Sequence, residues 1–136
     1  MRPVKALITA VGLLIATYGF AQNPIKRYYA AKKINNTQYQ IHLTALIDEG
    51  WHLYSQNQPE TAIALPITII FSTNPMIRLK GGIREQCRLQ KVKEEALEIE
   101  VRQYADKVSF IQLIEVKKQV KTNLIGTIEF QACTNE

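Results

Sequence analysis

Along residues 39–47 the side chains alternate. Tyr39, Ile41, Leu43, Ala45 and Ile47 stand between Gln40, His42, Thr44 and Leu46. A period of two places every second residue on one face of an extended strand, so a chain ruled by it must bury one face of a sheet. The same rhythm returns downstream. Leu97, Ile99 and Val101 oppose Glu98, Glu100 and Arg102. Residues 108–116 predict another strand. A last strand would turn Leu124, Gly126, Ile128, Phe130 and Ala132 inward, with Thr127, Glu129, Gln131 and Cys133 on its other face.

Turn residues separate these runs. Asp48, Glu49 and Gly50 end the first strand, and Trp51 to Gln56 follow as an aromatic-rich second one. Residues 57–65, with Pro59, read as a loop. Pro66 opens a run at 67–71 that is apolar on both faces, which predicts a central strand. Asn74-Pro75 and Gly81-Gly82 predict turns, and residues 105–107 a short connection. Residues 83–95 show no clear period. They fit a loop with a short strand, or a helical turn or two around Lys91 to Glu95. Seven or eight short strands with turns between them predict an all-β fold, an antiparallel sandwich or barrel.

The N-terminus has a different character. Arg2 and Lys5 precede an apolar run at 6–16, and Gly19-Phe20-Ala21 offers small residues at a cleavage point. This predicts a signal peptide over residues 1–21 and export to the periplasm or beyond. Removing 21 of 136 residues leaves 115, enough for one domain over residues 22–136 and too few for two. Without Arg2 and Lys5, 15 basic residues face 12 acidic ones, a net charge of +3. That is too mild for a nucleic-acid partner, and the lysines alternate with apolar or acidic residues as on solvated strand faces.

Little familiar chemistry is encoded. His42 and His52 are close enough in sequence for a hairpin to bring them together, but no third ligand is spaced for zinc, and both read as partly exposed strand residues. No strand-Ser-helix elbow is present. Gly81-Gly82 lacks the rest of a phosphate loop. No metal or cofactor is expected. Outside the cytosol, Cys87 and Cys133 would form one bridge or stand as two thiols awaiting partners.

The run Ile47-Asp48-Glu49-Gly50-Trp51-His52-Leu53-Tyr54-Ser55-Gln56, followed by a proline-bearing loop, resembles the N-terminal domain of the DsbD family of membrane protein-disulfide reductases. Leu65 through Phe71, Gly82 to Glu85, Tyr104 to Phe110 and Gly126 to Cys133 extend the likeness in order. The resemblance implies an immunoglobulin-like β-sandwich facing the periplasm. It implies a domain that takes electrons from a membrane donor and passes them to thioredoxin-fold thiol-disulfide proteins. The family's work is done by two cysteines near the C-terminal end, under a capping loop. Carried over, Cys133 takes the place of the first cysteine, and the second would fall a handful of residues later, past Glu136. The cap falls at Glu85, followed by Gln86 and Cys87 where the family's best-known members carry an aromatic pair. Cys87 in the cap would then be a substitute partner for Cys133. Such a bridge would contribute ~4 kcal/mol by the chain-entropy estimate and needs Cα atoms within ~7 Å. The alternative expectation is a redox-inactive immunoglobulin-like binding or scaffold domain, with Cys133 as a small apolar residue. A missing final strand would leave a sheet edge open to a second copy or another protein.

Overall fold

A computed structural model of the chain describes residues 23–94, 99–118 and 121–134. The expected signal peptide at residues 1–21 lies outside them, as do Leu97 and Glu98. Among the described residues there are ten strands and no helix. They are β1 (Ile25–Lys33), β2 (Gln38–Ile47), β3 (Trp51–Tyr54), β4 (Thr68–Phe71), β5 (Ile77–Gln86), β6 (Gln90–Glu94), β7 (Ile99–Tyr104), β8 (Lys107–Val116), β9 (Gly126–Glu129) and β10 (Ala132–Thr134).

All pairings are antiparallel. One four-stranded sheet runs β1-β2-β8-β5, a second runs β10-β3-β7-β6, and β4 and β9 form a two-stranded ribbon. The turn between β2 and β3 moves the chain from the first sheet to the second. Trp51 N–H donates to the Asp48 carbonyl at 3.0 Å, and Gly50 adopts φ +82°, open to glycine without the penalty a Cβ would bring. His42 and His52 therefore lie in different sheets and do not form a hairpin pair.

Both sheets contribute to one core. Ile25, Ala45, Ile47, Val108 and Phe110 come from the first, and Leu53 and Tyr104 from the second. Ile67, just before the ribbon, joins them, with Ile69, Ile128 and Ala132 packed at the margin. Each large apolar side chain fully withdrawn from water contributes about 1.5–3 kcal/mol. The alternation at 39–47 falls as expected, with Leu43, Ala45 and Ile47 toward the core.

Several expectations are corrected. β1 has no strong pattern because all its residues beyond Ile25 are exposed. It forms through its full-length pairing with β2, from Ile25 opposite Ile47 to Lys33 opposite Tyr39. Asn35 closes that hairpin: its Oδ1 accepts from the N–H groups of Thr37 at 3.0 Å and Gln38 at 2.9 Å. The apolar run at 67–71 is not a central strand. β4 pairs with β9 alone, and Ile70 is 62% exposed. Gly81-Gly82 is not a turn between strands but a bulge inside β5, where the register against β8 shifts between Lys80 and Arg84. The buried Gln112 amide fills the bulge by donating to the carbonyls of Lys80 at 3.3 Å and Gly81 at 3.1 Å. Of the two alternatives for residues 83–95, the short strand is the one formed, as β6 over Gln90–Glu94. The expected last strand is two strands. β9 pairs with β4, the chain breaks at Phe130 and Gln131, and β10 pairs with β3.

Candidate functional site

Three stretches distant in sequence meet around β3. Its first half pairs with β10: Trp51 is opposite Thr134, His52 opposite Cys133, and Leu53 opposite Ala132. Directly opposed residues share a face, with Cβ atoms usually ~4.5–5.5 Å apart. Cys133 and His52 are therefore cross-strand neighbours, while Ala132 and Leu53 turn the other way, into the core. The break at Phe130 and Gln131 releases the chain from the ribbon and delivers Cys133 to this position. Among the described residues, β10 is the edge of its sheet, so one side of the backbone beside Cys133 faces no further strand. The Cys133 thiol is free and half-buried. His52 is buried, contrary to its reading as a partly exposed residue.

The end of β3 is held by Glu85. The β5 bulge brings Glu85 opposite Phe110, on the core side of the first sheet. Its carboxylate reaches across to the second sheet. Ser55 Oγ donates to it at 2.7 and 2.9 Å, the Gln56 N–H donates at 2.7 Å, and the Tyr104 hydroxyl donates to Oε2. Ser55 and Tyr104 are almost wholly buried. Gln56 Nε2 adds a bond to the Ile83 carbonyl at 2.7 Å. Gln58 extends the brace by exchanging bonds with the backbone of Arg102. Burial first, then the hydrogen bond to Glu85 and the negative charges of Glu85 and Cys87, push the Tyr104 phenol far above its ordinary value of 10.0. Tyr104 therefore stays protonated and donates across the physiological range. An open groove of about 640 Å³ lies beside this clasp, lined by Ser55, Ile83, Glu85, Leu89, Arg102 and Tyr104.

Cys87 follows β5 by one residue, where the chain leaves the first sheet for the second. Its thiol is free and exposed. Its φ of +153° is one that side chains with a Cβ rarely adopt, so the backbone here is strained. The structure leaves the thiols of Cys87 and Cys133 unjoined to each other.

Of the three residues expected at the site, Cys133 is a free thiol paired in register with His52, and Glu85 is an inter-sheet anchor. Cys87 stands at the strained corner beyond that anchor. Sequence reasoning missed Tyr104 and Ser55 as the partners of Glu85. The sequence signal was a serine just past one strand, a tyrosine ending another, and Glu85 as the lone acidic residue between Arg84 and Arg88. Among the described residues, no group of three His, Cys, Asp or Glu side chains is arranged to hold a metal ion, and no helix is long and apolar enough to cross a membrane.

Comparison with protein-family models, with curated proteins and with solved structures finds no match to this chain.

Proposed function

We propose that this chain is an exported thiol-disulfide exchange domain, an immunoglobulin-like β-sandwich of the DsbD N-terminal kind, with Cys133 as its exchanging thiol. One observation carries the reading. The blocks that bear the resemblance, Trp51 to Gln56, Gly82 to Glu85 and Phe130 to Cys133, converge on β3, with Cys133 opposite His52 and Glu85 bonded to Ser55 and Gln56. Two four-stranded antiparallel sheets sharing one core suit a sandwich.

The chemistry balances with a single thiol. The Cys133 thiolate attacks one sulfur of a thioredoxin-fold partner's disulfide, forming a mixed disulfide and releasing the partner's other sulfur as a thiolate. A membrane-borne dithiol donor then attacks the Cys133 sulfur and frees the partner as a dithiol. The donor's second thiol displaces Cys133, leaving the donor as a disulfide and Cys133 as a thiol again. The net transfer is two electrons and two protons from donor to partner.

The test is trapping. A thioredoxin-fold protein lacking its resolving cysteine, supplied as a mixed disulfide with a thiol reporter, is mixed with the chain and run on a non-reducing gel. A covalent adduct that disappears in Cys133→Ser and persists in Cys87→Ser is expected. No adduct, with Cys133 unlabelled by maleimide at neutral pH, would overturn the proposal and leave a redox-inactive binding domain.

A further inference from the structure

Away from the cysteines, the layers part. The core reaches its margin at Leu43, Ile69 and Ile128. Beyond that margin a trough of about 590 Å³ opens between the β1-β2 hairpin and the β4-β9 ribbon. Ala31, Ile41 and Leu43 form one wall, and Phe71, Leu124 and Ile128 the other. A second hollow of about 510 Å³ continues it, since Ala31, Ile41 and Leu124 line both. These volumes lie in the usual range for small-molecule sites, roughly 300–1,000 Å³.

The charge around the trough is one-sided. Every charged residue lining either hollow is basic: Arg27 in the first, and Lys33, Lys118 and Lys121 in the second. The two ends differ. Arg27 has its guanidinium 5.9 Å from the centroid of the Phe130 ring, a cation–π arrangement that occupies it. The ion pairs among the described residues engage Arg78, Lys80 and Arg102, which leaves the three lysines outside that set. From Tyr29 to Lys33, β1 spans four residue steps, about 13 Å at ~3.3 Å per residue. The trough is thus an apolar groove of medium alkyl-chain length that continues into a hollow lined by three lysines.

We propose that it binds a single-chain anionic amphiphile, a fatty-acid-type carboxylate, with the alkyl chain along Ala31 and Ile41 and the carboxylate among Lys33, Lys118 and Lys121. A phosphate-bearing lipid would offer a similar charge, and vesicles carrying one form a separate arm of the test.

The test is isothermal titration of the full chain with monomeric dodecanoate, dodecanol and dodecyltrimethylammonium, below their micelle thresholds. Saturable one-to-one binding of dodecanoate is expected, at least tenfold tighter than dodecanol, with the cationic analogue weakest. The variant Lys33→Ala/Lys118→Ala/Lys121→Ala should lose that tenfold while keeping its affinity for dodecanol and its unfolding midpoint. Ala31→Trp, on an exposed strand, should block all three ligands, and Cys133→Ser should change nothing. Equal affinity for dodecanol and dodecanoate would overturn the proposal. So would an unchanged triple-lysine variant, or binding to phosphatidylglycerol vesicles without binding of monomeric dodecanoate.

Discussion

Replacing Glu85 by alanine removes one carboxylate and orphans three donors: Ser55 Oγ, the Tyr104 hydroxyl and the Gln56 N–H. Ser55 is 1% exposed and Tyr104 3% exposed, so neither recovers a full water bond. A buried donor left without an acceptor costs about 1–3 kcal/mol. Gln56 is only half-buried and regains water, so its share is small. Two orphaned donors and the loss of charge-assisted bonding give roughly 3–4 kcal/mol, a large part of the ~5–15 kcal/mol that holds a domain together. Glu85→Gln keeps the volume and one acceptor but aims an amide donor at two donors, for about 1–3 kcal/mol. Tyr104→Phe removes one bond and leaves the carboxylate two others, for about 1–2 kcal/mol. The assay is urea unfolding followed by the fluorescence of Trp51, the single tryptophan, which packs against the core. With a slope near ~2 kcal/mol per M, Glu85→Ala should lower the midpoint by about 1.5–2 M with the slope unchanged. A Glu85→Ala loss under about 1 kcal/mol, or one no larger than that of Tyr104→Phe, would refute the clasp.

Other outcomes follow from single positions. Tyr104 ionises near 10.0 when unfolded but resists ionisation in the fold. Stability is therefore complete below pH ~10 and falls above it, by up to ~1.4 kcal/mol per pH unit, and Tyr104→Phe should lack that component when the two are compared by denaturation at pH 9 and 11. Leu53→Ala, at 1% exposure, should cost about 2–5 kcal/mol in urea unfolding. A Cβ at Gly126 would lie 3.0 Å from the Ile70 carbonyl oxygen and 3.1 Å from Phe71 Cδ1, so Gly126→Ala should destabilise by about 1–3 kcal/mol and loosen the ribbon, seen as faster amide exchange in β4. Cys87→Gly should relieve the strained φ and raise the thermal midpoint by the equivalent of about 1 kcal/mol.

Much of the all-β architecture was legible because a strand with one wet face writes its alternation into the chain, as at Tyr39 to Ile47. Elements whose partners decide their fate were not. β1 is a strand because β2 offers it nine paired positions, though its side chains are nearly all exposed. Gly81 and Gly82 have the composition of a turn, but the Gln112 amide gives their carbonyl region a partner and keeps them in β5 as a bulge. The run at 67–71 looked central because apolar side chains on both faces usually mean two covered faces, and here Ile70 stays in solvent. At the site, Cys133 and Glu85 stood out as residue types, but their neighbours depend on register. His52 comes opposite Cys133 only because the chain breaks at Phe130 and changes sheets.

The most direct measurement is the rate at which the Cys133 thiol exchanges in the folded chain. Cys87→Ser, leaving one thiol, is mixed with an aromatic disulfide at neutral pH with and without urea. Exchange in the native state should be rapid, at a rate that urea raises less than tenfold. A Cys133 thiol silent in the folded chain and reactive only on unfolding would contradict a role in thiol-disulfide exchange.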